Sequence, residues 1–185
     1  RIGDYNVFRE PATVNRATKA DGETVVGSHN FLMANSHVGH NSLLGNHVII
    51  ANGALLGGHV TVQDRAFLSG NCLVHQFTRI GTLTMIQGGA GVSQDVPPFT
   101  IASGINTICG LNVIGLRRAG LTAQQRLEVK QLYHALFRSG QNLGTALAAA
   151  QAKFTGAASK TMMEFIAGAK RGVCRDGGRT GGEDE

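Results

Sequence analysis

Four of the seven histidines in this 185-residue chain fall in three short stretches that each hold a glycine or an amide: His37-Val38-Gly39-His40, Gly58-His59 and His75-Gln76. An imidazole titrates near neutral pH and can take a proton from a hydroxyl unaided, which typically contributes ~10²–10⁴ in rate. A neighbouring glycine leaves a backbone N–H open to a developing anion. Together these residue types suit a general base paired with an oxyanion donor. Zinc is the rival reading, because histidines from different segments can share a metal. Against it, no cysteine accompanies the four and no carboxylate is evident among them, so neither metal nor cofactor is expected.

For this chemistry to exist, residues far apart in the chain must converge, and an internal repeat supplies the means. From Val26 every sixth residue is apolar: Val26, Leu32, Val38, Leu44, Ile50, Leu56, and onward without a slip to Val92. Four places after each comes a small or modest residue, such as Ser36, Ser42, Ala54, Ala66 and Cys72, and Gly often follows the apolar residue directly. A period of six fits neither a helix nor plain strand alternation. It predicts a left-handed parallel β-helix, a triangular solenoid in which each hexad gives one short strand and one corner. Gly is expected to ease the chain around the corners. The frame reaches back through Ile2, Phe8 and Val14, then weakens over 19–25, which reads as a loop.

Three hexads complete a coil, so residues eighteen apart stack at the strand spacing of about 4.8 Å. His40, Gly58 and Gln76 then share one column, and Asn41, His59 and Phe77 the next. His75 follows Gly39 and Gly57 on the other side, with His37 one strand position earlier. His29 and His47 are also eighteen apart and read as tolerated corner residues.

The repeat stops at Pro97-Pro98, which lack ladder donors. After an irregular stretch, Thr122 and Gln125 resemble a capping box opening an amphipathic helix with Leu127, Leu132, Leu136 and Phe137. Further helices are expected over 143–154 and after Ser159, followed by a Gly-rich, charge-mixed tail that reads as disordered. The expected organisation is a solenoid over 1–99, a connecting segment with a helical domain over 100–172, and a disordered end over 173–185.

Hydrophobic residues make up 42% of the chain, yet no apolar run approaches the ~20 residues of a membrane span. No signal-peptide pattern opens the sequence. Cys72, Cys109 and Cys174 form neither a disulfide framework nor a C-x-x-C pair, which fits the cytoplasm. The net charge of +5 is lopsided: residues 1–116 hold six Lys/Arg against six Asp/Glu, and 117–185 hold eleven against six. With no nucleic-acid motif, that basic end reads as a surface for an acidic partner or as a solvated face.

The segments Asn35-Ser36-His37-Val38-Gly39-His40-Asn41, Gly58-His59-Val60, Val74-His75-Gln76-Phe77, Ser93-Gln94-Asp95-Val96-Pro97-Pro98 and Gly110-Leu111-Asn112-Val113-Ile114-Gly115-Leu116-Arg117-Arg118 closely resemble the acyl-[acyl-carrier-protein]–UDP-N-acetylglucosamine O-acyltransferases of lipid A biosynthesis. The resemblance implies a homotrimer with clefts between subunits, an acyl carrier protein donor and a UDP-N-acetylglucosamine acceptor. It casts His40 as general base and the Gly58 N–H as oxyanion donor. His37, His59, His75 and Gln76 match residues that hold the sugar nucleotide, and Asn112 and Arg118 match contacts to phosphates. Gly88 matches the position that, when Gly, admits a long acyl chain. Three departures stand out: Asn41 where the family often has Asp, Ile114 where many members have Glu, and no family coils upstream of Arg1. They keep two rivals open, N-acyl transfer to a UDP-diamino sugar and a non-catalytic trimeric solenoid.

Overall fold

The computed structural model describes residues 1–178. Its strands fall into three parallel stacks, the faces of a prism. A first face stacks Val25–Val26, Leu43–Leu44, Thr61–Val62 and Arg79–Ile80. A second stacks Val7–Phe8, Phe31–Leu32, Ile49–Ile50, Phe67–Leu68 and Met85–Ile86, and a third stacks Thr13–Val14, His37–Val38, Leu55–Leu56, Leu73–Val74 and Gly91–Val92. The chain visits them in that order, so Leu43 pairs with Thr61 and Leu55 with Leu73, eighteen residues apart.

The second residue of each strand points inward. Leu32, Ile50, Leu56, Leu68, Ile80 and Ile86 are fully buried, and the small residues four places on, Ala54, Ala66, Cys72, Thr78 and Thr84, fill the narrow interior between them. Burial of each large apolar side chain contributes about 1.5–3 kcal/mol.

The corners are built differently from the expectation. Left-handed backbone is adopted mostly by residues with side chains, including His29, His47, Asn41, His59 and Phe77. Where Gly follows the apolar residue it answers to coil stacking instead: a Cβ on Gly39 would lie 2.6 Å from Gly58 N, and one on Gly57 2.8 Å from Gln76 N.

Beyond Pro97-Pro98 the sheet continues where an irregular stretch was expected. Thr100–Ser103 pairs parallel with Met85–Ile86 and turns back as an antiparallel hairpin with Thr107–Leu111. A short helix α1 (Val113–Arg118) follows, then α2 (Ala123–Phe137), α3 (Leu143–Lys153) and α4 (Ala157–Ala167). The capping box is present: Thr122 Oγ1 accepts from Gln125 N, and Gln125 Oε1 accepts from Thr122 N at 2.8 Å. Ser159 does not precede α4 but lies buried within it.

The expected disordered end needs correction where it is described. Cys174 is buried, and Arg175–Asp176 adds a parallel strand to Thr107–Ile108. Residues 179–185 lie outside the described residues. Among the described residues no helix is long and apolar enough to cross a membrane.

Candidate functional site

The corner between the third and first faces carries residues 39–42, 57–60 and 75–78, and the stacking there follows the eighteen-residue register. His59 N donates to His40 O at 2.8 Å, and Phe77 N to Gly58 O at 3.1 Å. The His40 and His59 rings meet edge-on at 5.2 Å, and His59 stacks on Phe77 at 4.6 Å. His75 and Gln76 occupy the next coil at the same corner, with His75 Nδ1 donating to Gln76 O at 3.1 Å. His37 faces outward at the start of its strand, its Nδ1 2.7 Å from Thr13 Oγ1. All six residues of the proposed cluster therefore share one edge of the prism and the adjoining third face.

Gly58 has a steric reason to lack a side chain. A Cβ there would lie 2.6 Å from His40 Cε1 and 2.7 Å from His40 Nε2, so the imidazole rests directly on the backbone of the next coil. Gly58 is buried, and among the described residues its N–H has no hydrogen-bond partner. Buried N–H groups are nearly always paired, so an open one beside an imidazole is ready for an incoming anion. By contrast, Ser28 N and Asn46 N, at the corner between the first and second faces, are satisfied by Asn46 and Asp64 side chains of the coil above.

Beside this corner, on the third face, lies a cleft of about 390 Å³ lined by His37, Leu55, Leu73, His75, Ile105 and Asn106. Leu55 and Leu73 are 42% and 53% exposed, an apolar floor under two imidazoles. Arg171, from the end of the chain, reaches this cleft: its Nη2 is 3.4 Å from His75 Nδ1, and its Nε donates to Ser93 O. Arg171 carries no motif of its own, and only the return of the last described segment to the solenoid brings it there.

The remaining predicted residues lie elsewhere. Asn112 caps α1, with Oδ1 accepting from Gly115 N at 2.9 Å and Nδ2 donating to Leu83 O at 2.9 Å. With Arg118, Arg65 and Ile114 it borders a cavity of about 760 Å³ over Phe67 and Met85 of the second face. That face lies opposite the His40 corner. Gly88 is exposed at the corner between the second and third faces, where a Cβ would be 3.4 Å from Gly70 O. One chain thus brings together the imidazoles, Gln76 and Gly58, and keeps Asn112, Arg118 and Gly88 apart from them.

Two buried thiols take no part in this chemistry. Burial pushes Cys72 up to about 11 and Cys174 up to about 12, so both stay protonated at neutral pH. Among the described residues no three His, Cys, Asp or Glu side chains are grouped to hold a metal.

The family models for the UDP-N-acetylglucosamine O-acyltransferase second domain and for bacterial transferase hexapeptide repeats match residues 95–174 and 23–58. The acyl-[acyl-carrier-protein]–UDP-N-acetylglucosamine O-acyltransferase of Anaeromyxobacter sp. strain K is 42% identical over 177 residues, covering 94% of this chain and 69% of that protein. The chain belongs to this acyltransferase family. The UDP-N-acetylglucosamine acyltransferase of Francisella novicida superposes with a TM-score of 0.88 at 35% identity, covering 95% of this chain and 66% of that one. The Arabidopsis UDP-N-acetylglucosamine acyltransferase gives 0.91 at 33%, covering 94% and 65%. The chain thus spans about two thirds of the family members it matches.

Proposed function

We propose that this acyltransferase-family chain moves a 3-hydroxyacyl group from acyl carrier protein to the glucosamine 3-hydroxyl of UDP-N-acetylglucosamine, an early step toward lipid A. The observation that carries this reading is the His40 ring lying on Gly58 with the Gly58 N–H unpaired. His40 Nε2 takes the hydroxyl proton as that oxygen attacks the thioester carbonyl, and the Gly58 N–H receives the charge on the carbonyl oxygen. Collapse of the tetrahedral adduct breaks the C–S bond, and the imidazolium returns its proton to the departing thiolate. His37, His59, His75 and Gln76 orient the sugar nucleotide around this centre.

Asn112 and Arg118 contribute to phosphate binding only if another copy supplies them, since they stand on the face opposite His40. A homotrimer meets that need by setting the second face of one subunit against the His40 corner of the next. The exposed Leu55, Leu73 and Phe77 give such a contact its apolar area. The bare corner at Gly88 and Gly70 leaves room there for a long acyl chain. Both substrates place the enzyme in the cytoplasm.

Carrier-protein recognition falls to α2, where Arg126, Lys130 and His134 recur every four residues along an apolar cavity of about 330 Å³. An acidic partner fits that stripe. Lys130→Glu should lower kcat/KM for the acyl carrier protein about tenfold at low ionic strength, and the deficit should shrink as salt is added. A deficit independent of salt would remove Lys130 from the docking surface.

Gly58→Ala tests the stacking of base and oxyanion donor. The added methyl must push the imidazole away, and a displacement of this kind lowers kcat about tenfold to a hundredfold. Unchanged turnover would show that the ring does not work from its place on Gly58.

The reading as a whole is tested by incubating the protein with 3-hydroxyacyl carrier protein and UDP-N-acetylglucosamine and following products by mass spectrometry. An O-acylated sugar nucleotide is the expected product. Acylation of a UDP-diamino sugar alone would replace the acceptor, and carrier-protein binding with no transfer to either sugar would leave a non-catalytic solenoid.

A further inference from the structure

The coils are not all equal. Between Val25 and Val92 the strands pair at eighteen residues, whereas Val7 pairs with Phe31 and Thr13 with His37, twenty-four apart. The first coil therefore carries six extra residues. They fall between Asn15, whose N–H donates to Val38 O, and Val25, whose N–H donates to Ser42 O, at the corner that holds His40.

This insertion closes over Asn41. Thr18 N and Thr18 Oγ1 each lie 3.2 Å from Asn41 Oδ1, and Thr24 Oγ1 accepts from Asn41 N at 2.8 Å. Gly22 packs so closely that a Cβ there would be 2.8 Å from Asn41 Nδ2. Asn41 itself adopts left-handed backbone with φ of 60°, and its Oδ1 lies 2.9 Å from His40 Nδ1.

Donor and acceptor roles then follow in sequence. A backbone N–H can only donate, so the Asn41 atom facing Thr18 N must be the carbonyl oxygen. That oxygen can only accept, so His40 Nδ1 must carry the hydrogen. Nε2 is left with the lone pair, on the part of the ring that rests against Gly58. We propose that Thr18 and Asn41 are positioning residues: the first-coil insertion locks His40 in the Nδ1–H tautomer, the form whose Nε2 can accept a proton. The inference rests on His40 being the base. It also gives Asn41 a reason to serve where the family often has Asp, since an amide oxygen aligns the ring without adding charge.

The test is 15N spectroscopy of imidazole-labelled protein, with the His40 signals assigned by their loss in His40→Gln, alongside steady-state kinetics. The native protein should show a protonated Nδ1 and an unprotonated Nε2 in neutral His40. Asn41→Leu should mix the tautomers and lower kcat about tenfold or more with KM within about twofold, and Asn41→Asp should restore the tautomer. Thr18→Val, on the exposed loop, should give a smaller change in the same direction and serves if Asn41→Leu fails to fold. A native Nε2–H tautomer, or variants that keep both tautomer and kcat, would overturn the clamp. A locked Nδ1–H tautomer in a protein without acyl transfer would leave the clamp standing and sink the proposed function; turnover with the other tautomer would do the reverse.

Discussion

Replacing His40 with Ala should lower kcat by ~10²–10⁴, or about 3–5 kcal/mol of transition-state stabilisation, while the protein melts within a degree or two of the parent. The kinetic loss follows from removing the imidazole that rests against Gly58, whose N–H is open. The small stability cost follows from its surroundings. His40 is half-buried, touches His59 edge-on and makes one side-chain hydrogen bond, to Asn41, so nothing in the solenoid core depends on it. Residual transfer above the uncatalysed rate should persist, because the oxyanion donor belongs to the backbone and survives the substitution. Turnover at saturating carrier protein and sugar nucleotide, measured beside thermal unfolding, separates the two effects. A near-normal kcat would take the base role from His40, and a collapsed melting curve would make the loss uninformative about chemistry.

The part of this site that was legible in the sequence is the part the repeat controls. An uninterrupted six-residue frame from Val26 to Val92 fixes the register, and register alone stacks His40 over Gly58 and Asn41 over His59. The local signals at Thr122 and Gln125 worked for the same reason, being confined to four consecutive residues. What stayed hidden depends on pairing between distant segments. Arg175–Asp176 has no strand signal of its own and is ordered by the Thr107–Ile108 edge. The hairpin over 100–111 hangs on an existing sheet, and its Thr-Ile repeats are too short to announce it. The six-residue insertion keeps the hexad phase but lengthens the first coil to twenty-four residues, so arithmetic in steps of eighteen could place neither Thr18 beside Asn41 nor Thr13 beside His37. Asn41 stood out in the sequence for the Asp it replaces, and only its Oδ1 contacts give it a job.

Asp95→Ala should destabilise the protein by about 3 kcal/mol, the lower end of what breaking a buried ion pair costs, because the Arg79 side chain keeps 29% of its exposure while that of Asp95 keeps 2%. The carboxylate accepts from Arg79 N at 2.8 Å and from Arg79 Nε at 2.8 Å, and its Oδ2 forms an ion pair with Arg79 Nη2 at 2.7 Å. Arg79 in turn donates to Phe165 O and lies 4.3 Å over the Phe165 ring of α4. The Asp95 backbone meets the end of the chain, donating to Gly172 O and accepting from Cys174 N. One residue of the Gln94-Asp95-Val96-Pro97-Pro98 segment therefore joins the last coil, the helical domain and the returning strand, a structural duty for a motif that sequence comparison reads only as a family mark. Removing the carboxylate leaves the guanidinium half enclosed without a counter-charge, and the joint should loosen before the coils do. Hydrogen exchange should speed first at Cys174 and across α4, with the amides of Leu56, Leu68 and Ile80 keeping their protection. Asp95→Asn retains an acceptor for Arg79 and should cost about half as much. Denaturant unfolding at matched protein concentration measures both, since assembly would otherwise mask the difference. A loss under about 1 kcal/mol for Asp95→Ala would mean that helix packing by Phe154, Met162 and Ile166 holds the two parts together without this ion pair.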